Sequence, residues 1–235
     1  MFRSAPTRRA GILARKRGKE MKLVLASGNA GKLVELRGLL AGAGIELVSQ
    51  RELGIADADE TGTTFVENAI IKARHAATLS GLPALADDSG LCVDALDGAP
   101  GLDSAIYAGT HGADEANNDK LLRALAGVPG ERRTAHYVCV LVLLRSAADA
   151  DPLIATGRWP GRILGARRGS HGFGYDPLFL PDDGGGLASA ELDPALKNRI
   201  SHRGQALAAL RGMLFPSPSG RGGQRPSAQP FPQGG

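Results

Sequence analysis

Cysteine is scarce in this chain: only Cys92 and Cys139 occur in 235 residues, and no C-x-x-C pair is present. Both sit in apolar, strand-like stretches, the pattern of two buried thiols in a reducing compartment, so a cytoplasmic protein is expected. No apolar run approaches the roughly eighteen residues that span a bilayer. The longest, Tyr137 to Leu144, reads as a strand. His75, His111, His136 and His171 show no metal-ligand spacing. Two nucleotide-binding signatures are also missing. A P-loop needs four residues between its first glycine and its Gly-Lys pair, then a Ser or Thr. Here two residues separate Gly28 from Gly31, and Leu33 follows Lys32. The dinucleotide fingerprint G-x-G-x-x-G is absent after the first strand.

The charge is unevenly placed. Residues 1–20 hold seven Lys/Arg and one Glu, a net +6, and residues 216–235 add Arg221 and Arg225, a net +2. Subtracting both from the overall +4 leaves −4 for residues 21–215. The folded part is mildly acidic, which argues against nucleic acid as its partner, although the basic arm alone fits an anionic partner. Residues 1–20 lack hydrophobic periodicity and read as a disordered extension or a start codon placed too early, since Met21 directly precedes the first strand. Residues 216–235 form a Pro/Gly/Ser/Gln tail that cannot bury a core. Between them, residues 21–215 form one domain.

What organises that domain is Leu23 to Lys32, LVLASGNAGK: a strand, a glycine turn, a lysine and a helix start. Backbone N–H groups at glycines and the positive helix end make such a stretch a candidate phosphate cradle. Leu33, Leu36, Leu39 and Leu40 fall at helical spacing, ended by Gly42 and Gly44, and Ile45 to Ser49 alternates as a strand. Thr64 and Glu67 have capping-box spacing, which predicts a helix to about Leu79. Asn68, Lys72 and His75 share its polar face. Pro83 to Asp88 runs as a strand into ADDSG, with Leu91 to Leu96 as its continuation. Adjacent carboxylates on a strand face opposite ways, so one of Asp87 and Asp88 reaches a site and the other needs a partner elsewhere. A helix over 113–126, strands Arg133 to Arg145 and Pro152 to Trp159, a glycine-rich loop over 169–177 and a helical segment Lys197 to Leu214 complete the chain. Early alternation of strands and helices with a later hairpin predicts an α/β protein with a mixed sheet.

Six strings occur in order: SGNAGK at 27–32, TGTTFVENAIIKA at 61–73, ADDSG at 86–90, GAPG at 98–101, FGYDP at 173–177 and SHRGQAL at 201–207. Together they closely resemble the inosine triphosphate pyrophosphatase family, which hydrolyses ITP, dITP and XTP to the monophosphate and pyrophosphate. The resemblance spans about residues 21 to 214. It implies an elongated mixed β-sheet flanked by helices, two lobes with a central cleft, and a homodimer. By the same resemblance, Ser27, Gly28, Asn29, Ala30, Gly31 and Lys32 hold the triphosphate, with Lys72 adding a second cation. Asp88 is the proton acceptor and a Mg²⁺ ligand, roles that suit a hard oxygen donor. The second metal ligand is Asp59, with Glu60 as the close alternative. Ser89 binds substrate, and Asp87 is a structural carboxylate on the other side of the strand. Phe173, Gly174, Tyr175, Asp176, Lys197, His202 and Arg203 recognise the base, with Phe173 or Tyr175 stacking on the purine and backbone groups reading its edge. Ser104-Ala105-Ile106 departs from the family's usual Ser-Ala-Arg. The alternatives are a Maf-like pyrophosphatase acting on other nucleotides, against which FGYDP and SHRGQAL argue, and a nucleic-acid-binding protein using the basic arm.

Overall fold

The computed structural model describes residues 21–215 apart from 41 and 43. The basic arm 1–20 and the tail 216–235, expected to be disordered, lie outside the described residues. Among the described residues six strands form one mixed sheet: β1 (Met21–Ala26), β2 (Ile45–Ser49), β3 (Ala84–Val93), β4 (Thr134–Leu144), β5 (Leu153–Ile163) and β6 (Phe179–Pro181), in spatial order β2-β1-β3-β4-β5-β6. β1 is parallel to β2 and β3, and the remaining neighbours are antiparallel. Five helices accompany it: α1 (Ala30–Leu40), α2 (Phe65–Ser80), α3 (Asp114–Ala124), α4 (Pro194–Ile200) and α5 (His202–Leu214). The expected α/β architecture and the β4–β5 hairpin are both present.

Side-chain alternation sorts the core by face. Leu23, Leu25 and Leu85 point to one face and pack with Leu36, Leu207 and Leu210 of α1 and α5. Val24, Ala26, Ala84 and Ala86 point to the other and meet Ala69, Ala73, Ala76 and Ala77 of α2. Small residues on both sides of that second contact let α2 lie close to the sheet. A third cluster, with Leu91, Leu121, Tyr137, Trp159 and Phe179, fills the far end under α3.

Register creates the notch that matters for chemistry. β1 stops at Ala26 opposite Ala86, while β3 continues to Val93. From Asp87 onward β3 has no β1 neighbour, and the chain leaving β1 turns there through Ser27–Asn29 into α1. From Asp87 onward the β1-side edge of β3 therefore has no strand beside it, at the carboxyl end of β1, where ligands of open α/β sheets commonly sit.

Several boundaries differ from expectation. β3 ends at Val93, and residues 94–96 form a 3₁₀ turn instead of further strand. β5 runs past Trp159 to Ile163, because the outer neighbour of Pro160 is short and leaves its missing donor without a required partner. The single helix expected from Lys197 breaks at Ser201, whose backbone is extended and whose hydroxyl accepts from Gly204 N–H. One serine thus ends α4 and caps α5. Cys139 is buried as expected, whereas Cys92 is half-buried.

Candidate active site

The glycine turn is partly self-satisfied. Ser27 Oγ accepts from Asn29 N–H at 3.2 Å, and Asn29 Oδ1 accepts from Lys32 N–H at 3.1 Å. Asn29 thereby caps α1 in the way Asn does at helix starts. Gly31 is required by its neighbour: a Cβ there would stand 2.9 Å from the Phe173 ring. The glycine turn and the 169–177 loop thus meet at Gly31 and Phe173, 142 residues apart in sequence.

On the α2 face, Thr64 caps the helix by accepting from Glu67 N–H at 3.2 Å, while Glu67 Oε2 accepts from Thr63 N–H at 2.8 Å. The reciprocal half of the capping box has moved one residue upstream. The polar trio of α2 is not a solvated face. Asn68 Oδ1 accepts from Gly62 N–H at 2.8 Å, Lys72 Nζ reaches Glu60 at 3.3 Å, and His75 Nε2 donates to Ala56 O at 3.0 Å. Together they pin loop 56–62 along the helix. Lys72 also reaches Asp88 Oδ1 at 2.5 Å, so it bridges Glu60 and Asp88. Of the two alternatives for a second metal ligand, Glu60 shares Lys72 with Asp88, and Asp59 has no such contact among the described residues.

Asp88 is largely buried, and desolvation raises its carboxyl above the usual range while Lys72 opposes the shift. Burial alone would lower the Lys72 ammonium, yet the Asp88 and Glu60 carboxylates together raise it. Lys72 stays a cation.

Asp87 lies on the opposite face, as strand alternation requires, but it is more than a structural carboxylate. It is fully buried and pairs with Lys32, with Arg203 Nε at 2.8 Å and with Ser89 Oγ at 2.8 Å. Burial pushes its carboxyl up, but Arg203 and Lys32 outweigh that and hold it well below the ordinary range. Glu35 of α1 extends the chain of charges. It pairs with Arg203 and lies 3.4 Å from Lys197, which reaches Asp176 at 2.7 Å. The sequence reading missed Glu35. Its position one helical turn after Lys32 was the available signal.

The four site cations Lys32, Lys72, Lys197 and Arg203 are thus all held by carboxylates, namely Glu35, Glu60, Asp87, Asp88 and Asp176. Five negative charges face four positive ones, a net −1.

The 169–177 loop divides its labour. Tyr175 is buried in the third core cluster and donates its hydroxyl to Ser104 O at 2.9 Å, so it is a core residue and not a stacking platform. Asp176 is a fastener, accepting from Phe173 N–H at 2.9 Å and from Ser189 Oγ at 2.7 Å. Gly174 N–H is taken by Asp114 at 2.7 Å. The loop amides expected to read a base edge are therefore already engaged at Phe173 and Gly174. Phe173 itself is half-buried, with Lys197 Nζ 5.3 Å and the Arg203 guanidinium 5.8 Å from its ring centre. Arg203 Nη2 also donates to Ser89 Oγ at 3.2 Å.

His202 rests on the sheet because Gly157 lets it. A Cβ on Gly157 of β5 would lie 2.0 Å from His202 O, so only glycine allows the start of α5 to rest on the sheet. The imidazole stacks on Tyr137 at 4.6 Å and is buried, with Nδ1 lacking a protein partner among the described residues. Burial first, then the nearby Arg203, holds it well below its ordinary value, so it is neutral. His202 is thus a buried ring and not a surface side chain.

A profile of the Ham1 family matches residues 23–213. The chain belongs to the Ham1 family. Ham1 relatives include a dITP/XTP pyrophosphatase from Xanthomonas oryzae, 62% identical over 192 residues that cover 82% of this chain and 96% of that protein. A dITP/XTP pyrophosphatase from Methylococcus capsulatus is 60% identical over 193 residues, covering 82% and 96%. Among solved structures, a Ham1 protein from Coxiella burnetii is 49% identical with a TM-score of 0.76, covering 83% of this chain and 98% of that one. Ham1 membership decides against the Maf-like alternative.

Proposed function

We propose that this chain is a Mg²⁺-dependent pyrophosphatase of non-standard purine nucleoside triphosphates. It hydrolyses ITP, dITP and XTP to the monophosphate and pyrophosphate and so keeps such bases out of DNA and RNA. The observation that carries the reading is the notch beyond Ala26. There, in a Ham1 chain, Asp87 with Lys32 and Asp88 with Lys72 stand on the two faces of one strand, beside a helix start. Ser27 to Lys32 grip the triphosphate, and Lys72 exchanges a carboxylate for phosphate oxygens. Phe173 stacks on the purine, and Lys197, His202, Arg203 and Ser89 line its approach. Domain limits of 21–215, a homodimer and a cytoplasmic location belong to the same proposal. The family resemblance supports all three, and no helix among the described residues is long and apolar enough to cross a membrane.

The donor set fits Mg²⁺. Glu60 and Asp88 are hard oxygen donors brought together on Lys72, and Mg²⁺ ordinarily binds through one or two carboxylates plus substrate phosphates. Bound there, the ion would neutralise phosphate charge and lower the cost of the leaving pyrophosphate. Asp88, poised by burial toward proton acceptance, orients water toward the α-phosphorus and takes its proton. Lys32 and Lys72 offset the charge that develops on the phosphate oxygens.

Hydrolysis of XTP in ¹⁸O-water with Mg²⁺ tests this assignment. Label in the monophosphate with pyrophosphate released supports attack at the α-phosphorus; label in pyrophosphate, or release of single phosphate, overturns it.

A further inference from the structure

Asp114 and Asn118 stand one turn apart on α3, and both reach a single residue of the 169–177 loop. Asp114 Oδ2 accepts from Gly174 N–H at 2.7 Å, and Asn118 Nδ2 donates to Gly174 O at 2.8 Å. The other Nδ2 hydrogen goes to Asp114 O at 2.9 Å. Both amide hydrogens of Asn118 end on carbonyls, so its orientation is fixed: turned over, it would aim Oδ1 at two oxygens. Asn118 is 1% exposed, and its Oδ1 has no protein partner among the described residues. A buried, half-satisfied amide is a costly choice for a merely structural helix position, where an apolar side chain would do.

The preceding residue ties down the other side of the loop. Asn117 Oδ1 accepts from Ala108 N–H at 2.7 Å, and its Nδ2 donates to Ala105 O at 3.3 Å. This holds the segment whose Ser104 O receives the Tyr175 hydroxyl. α3 therefore grips Gly174 directly and Tyr175 at second hand. Gly174 has φ +60°, a conformation that tolerates rotation unless its peptide groups are held.

We propose that Asp114 and Asn118 are positioning residues for base selection. Their grip on the N–H and C=O of Gly174 sets the Phe173 ring against Gly31, Lys197 and Arg203. The proposal rests on the reading that Phe173 meets the base. Choosing a 6-keto purine over adenine depends on where the ring and the cations beside it stand, and the two consecutive peptides flanking Gly174, each held by α3, fix that place. The residues of the phosphate grip stand on α1 and α2, and neither Asp114 nor Asn118 bonds to them.

The test compares Asn118→Asp, Asp114→Ala and Asp114→Asn in the full chain. Asn118→Asp is nearly isosteric but sets an oxygen against two carbonyls. For it, KM for ITP and XTP is expected to rise about tenfold with kcat within about threefold, a split that marks lost ground-state positioning. Inhibition by inorganic tripolyphosphate, which reports the phosphate side alone, should stay unchanged. Asp114→Ala should match it, while Asp114→Asn keeps an acceptor for Gly174 N–H and should restore near-parental KM. Equal weakening of nucleotide and tripolyphosphate, an unchanged KM in Asn118→Asp, or no rescue by Asp114→Asn would each overturn the proposal. Phe173→Ala separates the underlying reading. If Phe173→Ala leaves KM and base preference intact, Phe173 does not meet the base; if it raises KM while Asn118→Asp does not, only the clamp is wrong.

Discussion

At the residue scale, the two adjacent aspartates carry different loads. Asp88 faces Lys72 and Glu60, and Asp88→Asn keeps its shape while removing the charge. Turnover for XTP should fall at least about a hundredfold, the ordinary scale of acid–base catalysis, in steady-state assays. Asp87 is fully buried between Lys32 and Arg203. Asp87→Asn strands Lys32 and leaves Arg203 with Glu35 alone, and urea denaturation should show a loss of about 3–5 kcal/mol, the usual effect of breaking a buried pair from one side. A change under about 1 kcal/mol would mean the cations find other partners. The sequence made Asp88 and Lys72 legible because short strings around them resemble a family. It hid Glu35, which meets Arg203 168 positions away, and it hid the dual pairing of Asp87. Strand alternation says only that Asp87 points away from Asp88. What it meets there depends on where α1 and α5 land.

At the element scale, local signals placed α2 well. Thr64 and Glu67 mark its start, and Gly81 in a left-handed conformation marks its end. The break between α4 and α5 was less legible, because Ser201 lies inside an otherwise continuous helical pattern, and its extended backbone and capping hydroxyl show only in the fold. Gly157 was invisible for a related reason: nothing in the sequence says that a helix start rests on it. Gly157→Ala should displace α5 from the sheet and cost about 1–3 kcal/mol or more of stability, as overpacking does, with a rise in KM as His202 and Arg203 shift. Thermal unfolding together with nucleotide kinetics checks both effects. An unchanged melting temperature would show that α5 yields freely.

At the scale of the whole molecule, charge decides how substrate is admitted. Four cations against five carboxylates leave the site at −1, and a triphosphate brings further negative charge. A non-hydrolysable XTP analogue should therefore bind at least about tenfold, or 1.4 kcal/mol, more weakly when EDTA removes Mg²⁺, as calorimetry would show. His202 adds a pH dependence of stability. Its folded pKa is depressed by burial, so below the unfolded value near 6.5 the unfolded chain takes up a proton that the folded one refuses. Stability should fall as pH drops below 6.5, by up to about 1.4 kcal/mol per unit from this group. His202→Gln should flatten that limb in thermal melts between pH 7 and 5. The mixed sheet and its hairpin were readable from periodicity. The notch was not, because it arises from β1 being shorter than β3.

The most direct measurement is kcat/KM with Mg²⁺ for ITP, dITP and XTP beside ATP, GTP, CTP and UTP, with the phosphate product identified. A preference of about a hundredfold or more for the first three, a gap of some 2.7 kcal/mol, with pyrophosphate released, is the predicted result. A preference for ATP, or release of single phosphate, would contradict it.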